Sequence, residues 1–231
     1  MTRRAPRVPG SSDGENVRHR KAPAKPRKAS RTLAGMILAP GASASRDQSA
    51  LVAIDEALSR AGLPGVKAIA VERVDFPYRL AGRRAPDRPA VLVATLRDAA
   101  VELAGRLGVD QASVGLGGRS MGGRMASMAV AEGLPAAGLV LVSYPLHPPG
   151  KPEKLRDEHF PSLTVPCLFV SGTRDAFATP EELRSATSAI PGPVAHVFID
   201  GGDHSLRSKD ADVAAAVSQW VRATFAKPDG V

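Results

Sequence analysis

Short apolar segments alternate with amphipathic segments along most of this chain. Each apolar segment is short enough to form a buried β-strand, and these segments lie at residues 33–39, 66–74, 112–116, 138–142, 167–171 and 194–199. The amphipathic segments carry apolar residues three or four positions apart, as Leu51, Ile54 and Leu58 do, which is the spacing of one helix face. With Asp47 as the N-terminal cap of the first, the pattern predicts helices over residues 47–61, 90–107, 121–132, 181–189 and 210–225.

Continuous apolar strands that alternate with helices are typical of a parallel sheet covered by helices on both faces. We therefore predict an α/β fold with about six mostly parallel strands, formed by residues 32–231 as one domain. In open sheets of this kind functional sites lie beyond the carboxyl ends of the strands. The candidate chemistry is therefore expected in the loops that follow the strands.

Residues 1–31 depart from this pattern. They contain four prolines, almost no large apolar residues, and ten lysines and arginines against Asp13 and Glu15, a net charge of +8. The whole chain has 31 basic and 23 acidic residues, which leaves 21 of each for the remainder, so the basic excess lies in this segment. Such a segment cannot bury enough apolar surface to offset the entropy lost on ordering. We predict a disordered basic tail that could contact polyanions weakly, or could serve only as a solubilising extension.

The composition narrows the class of protein further. Hydrophobic residues make up 43% of the 231 residues, yet no window approaches the ~18 consecutive apolar residues of a membrane span. The N-terminal arginines are followed by no apolar segment, so we expect no secretory signal. Cys167 is the one cysteine, which excludes a disulfide framework and a cysteine-based zinc cluster. We expect no cofactor or metal, no membrane contact and a cytoplasmic location, while the oligomeric state stays open.

The clearest candidate for chemistry follows the third predicted strand. There the sequence Gly118-Arg119-Ser120-Met121-Gly122 has the form G-x-S-x-G and stands between a strand and a helix. In that context the motif forms a strained turn that presents a nucleophilic serine, and the glycines let strand and helix approach closely. The alternative, a tight turn with no chemistry, would use the same residues.

A serine nucleophile needs a base, and a histidine base needs an acid that orients it. Asp175 follows the fifth predicted strand and His204 follows the sixth, so both are expected at the same edge of the sheet as Ser120. Asp203 competes for the orienting role, but a side chain rarely reaches the ring of the next residue, and we interpret it as a loop-fixing residue. The other histidines have no better claim to be the base, and they are His19, His147, His159 and His196.

The oxyanion of a tetrahedral intermediate needs two backbone N–H donors. The first is predicted to be Met121, directly after the nucleophile, and the second is predicted to be Ala42, in the loop after the first strand. The alternative is that this loop, which begins with Pro40 and Gly41, only terminates the strand.

Taken together, these residues resemble the α/β-hydrolase superfamily, in which the triad runs in the order serine, acid, histidine. More narrowly, the body of the chain resembles the dienelactone-hydrolase-like group and the hydrolase-like domain shared by a testis-expressed protein and a subunit of the nonspecific-lethal chromatin complex. The resemblance implies a minimal α/β-hydrolase fold without a cap domain and a triad of Ser120, Asp175 and His204. Relatives usually have His-Gly where this chain has Pro40-Gly41. The segments that carry the resemblance are 118–122 (GRSMG), 143–151 (SYPLHPPGK), 171–175 (SGTRD) and 202–206 (GDHSL).

We therefore predict a serine hydrolase that cleaves a small carboxylic ester or thioester through an acyl-enzyme. The alternative is a catalytically idle protein of the same fold that acts in protein or nucleic-acid-associated binding. A cysteine nucleophile, typical of dienelactone hydrolases, fits less well, since Cys167 begins a strand. The pocket is expected to be open and bordered by Gly41, Tyr144 and His147. Cationic side chains near the site could attract an anionic substrate or form ion pairs, and they are Arg119, Arg124, Lys151 and Lys154.

Overall fold

Strands and helices alternate through the part of the chain that the computed structural model describes, which is residues 1–2, 32–60 and 68–226. The strands are β1 (Gly35–Ala39), β2 (Ala70–Arg73), β3 (Val114–Arg119), β4 (Leu139–Val142), β5 (Cys167–Gly172) and β6 (Val194–Ile199). The helices are α1 (Ser49–Ser59), α2 (Pro77–Leu80), α3 (Pro89–Leu107), α4 (Met121–Ala131), α5 (Pro180–Thr187) and α6 (Asp210–Phe225).

All of these strands form one parallel sheet in the order β2-β1-β3-β4-β5-β6. The prediction of an α/β fold with about six mostly parallel strands is confirmed, and no cap domain is evident within the described ranges. From β1 the chain adds β2 on one side and then returns to add β3 on the other, so the direction of winding reverses between β1 and β3. Ala39 lies opposite Gly118 at this point, which brings the loops after β1 and β3 together.

Helices cover both faces of the sheet. Successive side chains of a strand point to opposite faces. In β1, Ile37 therefore belongs to the core beneath α3 and α4, and Leu38 belongs to the core beneath α1 and α6. Both side chains are fully buried. Because each inner strand is covered on two faces, its apolar sequence is continuous rather than alternating.

β2 and β3 differ most at their ends from the prediction. β3 continues three residues past the predicted end, to Arg119, because its last positions include glycines, which join the ladder without adding apolar side chains. β2 begins only at Ala70. Residues 61–67, predicted as the end of the first helix and the start of this strand, lie outside the described residues.

The first helices also differ from the prediction. α1 begins at Ser49, and Asp47 does not cap it, because the carboxylate of Asp47 pairs with Arg73 at 3.0 Å. α2 is a single turn that starts at Pro77, and its four residues are too few to show a helical period in the sequence. The predicted disordered tail, residues 1–31, lies outside the described residues except at its first two positions.

Glycines allow α4 to meet the neighbouring strands at the end of β3. A Cβ atom on Gly117 would lie 2.4 Å from the carbonyl oxygen of Val140. A Cβ atom on Gly118 or Gly122 would lie 2.2 Å from the carbonyl oxygen of Ala39. The obstructing atoms belong to the backbone of the central strands, so a side chain could be admitted only by moving the sheet.

Replacing Gly122 by alanine is expected to lower the free energy of unfolding by about 3 kcal/mol, because the methyl group would displace β1 from α4. Gly105→Ala is the matched control, since Gly105 also lies within a helix but its Cβ would have no neighbour within 4 Å. Alanine is expected to raise stability there by about 0.5–1 kcal/mol. Urea denaturation of both variants measures the difference, and two variants of equal stability would contradict the packing argument.

The connection between β4 and β5, residues 143–166, packs onto the domain. Tyr144 is fully buried, and its ring contacts those of Phe160 and Phe169. Farther along, Nε2 of His159 lies 2.7 Å from Oγ of Ser127 in α4. The connection is thus anchored at two places, and its intervening residues are held over the end of the sheet.

Acid is expected to weaken the second of these anchors. Burial, together with the nearby charge of Arg124, lowers the pKa of His159 to about 4 from its ordinary value of 6.5. The unfolded chain therefore binds this proton more readily, and the free energy of unfolding falls as the pH drops from about 6.5 towards about 4. His159→Gln is expected to make that pH dependence shallower, as measured by urea denaturation across the range. An unchanged slope would contradict this account of the anchor.

Candidate active site

Ser120 occupies the sharp turn between β3 and α4. Its φ of +50° and ψ of −117° are strained for a residue with a side chain. The N–H of Ser120 donates to the carbonyl of Val142 at 2.8 Å, which fixes the turn against β4. The hydroxyl therefore stands at the N-terminus of α4, where unpaired N–H groups favour negative charge.

Ser120, His204 and Asp175 form a chain of hydrogen bonds. Oγ of Ser120 lies 3.0 Å from Nε2 of His204, and Nδ1 of His204 lies 2.9 Å from each carboxylate oxygen of Asp175. An ionised carboxylate can only accept, so Nδ1 carries the proton and Nε2 is left to accept the hydroxyl hydrogen of Ser120. The Asp175 side chain is wholly buried, and that of His204 is 20% exposed. The fold thus brings these sequence-predicted residues together in an order suited to proton transfer.

Phe177 holds the His204 ring in place. The two rings stack with centroids 3.9 Å apart and planes inclined by 27°. The backbone N–H of Phe177 also donates to Oδ1 of Asp175 at 2.8 Å. Sequence analysis missed Phe177, although it lies only two residues after Asp175, because nothing in the pattern shows that the loop turns its ring towards the histidine.

Asp203 fixes the loop that carries His204. Its Oδ1 accepts hydrogen bonds from the N–H and the hydroxyl of Ser205, at 2.8 and 2.6 Å, and from the N–H of Leu206 at 3.1 Å. These hydrogen bonds, that of the Ser205 hydroxyl above all, lower the pKa of Asp203. The carboxylate is thus occupied within its own turn, in agreement with the loop-fixing interpretation.

Arg119 connects the same loop to the nucleophile turn. Its Nη2 donates to the backbone carbonyl of His204 at 2.5 Å. Burial lowers the pKa of Arg119, and the nearby carboxylates, Asp175 first among them, act in the opposite direction. A guanidinium stays protonated under ordinary conditions. Arg119 is therefore a charged tether between the serine and histidine loops, a role that the sequence did not reveal.

The N–H groups of Met121 and Ala42 are the candidate oxyanion donors. Both residues line the same cavity as the serine, and neither N–H has a hydrogen-bond partner among the residues that the structure describes. The loop after β1 is fixed from two sides. The N–H of Gly41 donates to Oε1 of Gln48 at 3.1 Å. The carbonyl of Ala42 accepts from the hydroxyl of Tyr78 at 2.6 Å, so two side chains that the sequence analysis missed hold this loop.

These groups open into a cavity of about 560 Å³. Gly41 is part of its wall, and the apolar residues Met121, Pro145 and Phe177 line it as well. Gln48 adds a neutral polar group. No aspartate or glutamate is among the described residues that line this cavity, whereas its lining includes Arg119, Arg124 and Arg156.

Tyr144 and His147 lie outside the lining of this cavity, contrary to the expectation that they border the pocket. Tyr144 turns inwards, and its hydroxyl donates to the carbonyl of Arg156 at 2.6 Å. His147 is only 5% exposed, with Nδ1 2.9 Å from the carbonyl of Pro148 and Nε2 3.2 Å from Glu182. Both side chains are buried and hydrogen-bonded, so they stabilise the connection 143–166 and do not face the cavity.

Neither a metal site nor a membrane segment emerges from the residues described. Within residues 1–2, 32–60 and 68–226, no three histidine, cysteine, aspartate or glutamate side chains are grouped so that they could hold a metal ion. In the same ranges no helix is both long enough and apolar enough to cross a bilayer. Cys167 is buried at the start of β5 and is not part of the cavity lining.

Comparison with known proteins agrees with this architecture. A family model described as "Alpha/beta hydrolase domain" matches residues 32–226. The chain is similar to the structure of an alpha-beta serine hydrolase homologue from Coxiella burnetii, with 16% identity, a TM-score of 0.66 and coverage of 84% of this chain and 88% of that one. It is also similar to Est1E from Butyrivibrio proteoclasticus, with 17% identity, a TM-score of 0.66 and coverage of 85% of this chain and 90% of that one. A third similar structure is a dienelactone hydrolase from Anabaena variabilis, with 20% identity, a TM-score of 0.65 and coverage of 84% of this chain and 87% of that one. At such identities the similarity shows the fold alone.

Proposed function

This chain belongs to the alpha/beta hydrolase family, and from that membership we propose that it is a serine hydrolase that cleaves a small carboxylic ester or thioester. The observation that carries the proposal is the hydrogen-bonded series of Ser120, His204 and Asp175 at the ends of β3, β6 and β5. Its members come from three separate loops, and each has the partner that nucleophilic catalysis requires.

The reaction begins with proton transfer from Ser120 to His204. As Oγ of Ser120 attacks the carbonyl carbon, Nε2 of His204 takes the hydroxyl hydrogen, and the carbonyl oxygen becomes an oxyanion. We assign the N–H groups of Met121 and Ala42 as the donors to that oxygen, since both residues line the cavity of Ser120. When the intermediate collapses, the C–O or C–S bond breaks and His204 returns the proton to the leaving alcohol or thiol. An acyl group then remains on Ser120.

Water completes the cycle. Nε2 of His204 takes a proton from water while the oxygen attacks the acyl carbon, and the second intermediate releases the carboxylic acid as Ser120 regains its hydrogen. Throughout, Asp175 holds the proton on Nδ1 and stabilises the imidazolium that forms. The Asp175 side chain is fully buried and the Phe177 ring stacks on that of His204, so both shield the Asp175–His204 hydrogen bond from water.

The substrate is proposed to be small. The cavity has a volume of about 560 Å³, and the connection 143–166 contributes only Pro145 and Arg156 to its lining. Similarity to the dienelactone hydrolase from Anabaena variabilis, and to an esterase domain of a protein from Rhodothermus marinus, favours ester chemistry. We keep the narrower resemblance, to the domain shared by a testis-expressed protein and the chromatin-complex subunit, as an expectation within this proposal.

A fluorophosphonate probe tests the proposal, since it reacts only with an activated and accessible serine. We expect the wild type to be labelled, with the modified peptide containing Ser120, and we expect Ser120→Ala to remain unlabelled. Ser185→Ala, at an exposed position of α5, is the matched control and should be labelled like the wild type. A folded wild type that resists the probe would refute the proposal and favour the idle binding protein.

A further inference from the structure

The cavity beside Ser120 carries an unbalanced positive charge. Of its described lining residues, three are arginines and none is acidic. Arg119 already donates to the carbonyl of His204. The other two, Arg124 and Arg156, are here called the arginine pair. Lys151 and Lys154, which the sequence also offered as cations for substrate, are exposed and lie outside the lining, so the arginine pair dominates the charge of the cavity.

Arg124 stands one helical turn after the nucleophile. Its backbone N–H donates to the carbonyl of Ser120 at 3.0 Å, and residues four apart on a helix lie on the same face. Its side chain forms no ion pair with any described acid, and its Nε is buried without a hydrogen-bond partner in the described part of the chain. A buried guanidinium nitrogen without an acceptor is costly. Because Arg124 also lines the cavity, an anion bound there would give this guanidinium the counter-charge that it lacks among the described residues.

Arg156 reaches the cavity from the connection between β4 and β5. Its carbonyl accepts from the buried hydroxyl of Tyr144 at 2.6 Å, which fixes the backbone, and its Nη1 donates to the carbonyl of Pro145 at 3.3 Å. No described acid forms an ion pair with it. Burial, followed by the charge of Arg124, lowers the pKa of Arg156. Both cations line the same cavity, so their like charges repel each other.

We propose that the arginine pair binds a carboxylate of the substrate, so that the enzyme prefers esters or thioesters with a negatively charged acyl or alcohol part. The proposal rests on the proposed function and narrows its substrate class. A carboxylate presents coplanar oxygens that match the fork of a guanidinium, and its charge offsets the repulsion within the pair. Held there, the substrate has its scissile carbonyl next to the serine that lines the same cavity.

Two pairs of matched esters test the inference. Monomethyl succinate and methyl isocaproate differ in that a carboxylate replaces an isopropyl group on the acyl side. Carboxypropyl acetate and isohexyl acetate differ in the same way on the alcohol side. The measured quantity is kcat/KM for each ester. Within each pair, the kcat/KM of the charged ester divided by that of the neutral ester reports recognition of the carboxylate, because both esters undergo the same reaction.

In the wild type we expect a ratio of about ten or more in at least one pair, the range that charge-assisted hydrogen bonds supply. Arg124→Met and Arg156→Met are each expected to lower that ratio by about tenfold, and added salt should lower it as well. Arg222→Met removes the same charge from an exposed position of α6 and should leave the ratio unchanged. If Arg124→Met does not fold, Arg156→Met and the salt dependence decide.

The outcomes separate this inference from the proposal beneath it. If Ser120 is labelled by fluorophosphonate and neutral esters are hydrolysed, but charged esters have no advantage in either pair, only the carboxylate inference is overturned. The same conclusion follows if a preference exists and both methionine variants retain it. If Ser120 is not labelled and none of the esters is hydrolysed, both proposals fail together.

Discussion

Ser120→Ala is expected to lower kcat/KM for ester hydrolysis by a factor of about 10⁴ or more, because alanine has no oxygen to form the acyl-enzyme. A short-chain nitrophenyl ester provides the assay, with rates corrected for spontaneous hydrolysis. Ser185→Ala, on the exposed side of α5, should retain the wild-type rate. A pure Ser120→Ala preparation with appreciable turnover would exclude this serine as the nucleophile.

The same substitution is expected to leave stability almost unchanged. Oγ of Ser120 has one described partner, Nε2 of His204, and alanine must adopt the same positive φ as serine in the turn. The free energy of unfolding should therefore change by about 1 kcal/mol at most. Thermal unfolding followed by circular dichroism gives that comparison, and it shows that the lost rate does not come from an unfolded protein.

Asp175→Asn is expected to lower kcat by a factor of about 10³–10⁴, with a smaller effect on KM. The amide can present its NH₂ group to Nδ1 of His204, which would move the proton of the neutral ring to Nε2. Nε2 could then no longer accept from Ser120. Steady-state kinetics with the short-chain ester measures the loss.

Asp203→Asn is the matched control for this change. Asp203 precedes His204 directly, yet its Oδ1 bonds only within its own turn among the described residues. The amide oxygen of asparagine can accept the same hydrogen bonds, so we expect a loss of about tenfold at most. A larger loss from Asp203→Asn than from Asp175→Asn would mean that the wrong acid had been assigned to the histidine.

Much of the fold follows from local sequence pattern. The strand Val194–Ile199 and the helix Asp210–Phe225 have the predicted bounds, because apolar period and flanking polar residues change together at their ends. β3 runs past its predicted end because glycines carry no apolar signal although their backbone groups join the ladder. The prediction that Asp47 caps the first helix was wrong for another reason. Asp47 has the right chemistry for a cap, but tertiary contact with Arg73 takes its carboxylate elsewhere.

In the candidate site, too, some residues follow from local sequence pattern and others depend on tertiary contacts. Ser120, Asp175 and His204 could be proposed from the sequence because parallel strands bring their carboxyl ends to one edge. Phe177 and Arg156 could not, since their roles depend on how particular loops return over the sheet. Tyr144 and His147 stand in a distinctive segment near a strand end, and this favoured a place at the opening. Position in sequence does not give the direction of a side chain, and in the fold both turn inwards.

The reacting groups and the connection after β4 belong to different segments of the chain, and this has a consequence for engineering. The reacting groups and the candidate oxyanion donors come from the segments after β1, β3, β5 and β6, while Pro145 and Arg156 reach the cavity from the connection after β4. That connection is anchored through Tyr144 and His159 and contributes none of the reacting atoms. The connection therefore contributes one member of the proposed arginine pair, Arg156, and none of the reacting atoms, whereas Arg124 belongs to α4. Exchanging this segment between relatives of the same fold is expected to change part of the substrate preference, while the reacting groups and Arg124 remain those of the host protein.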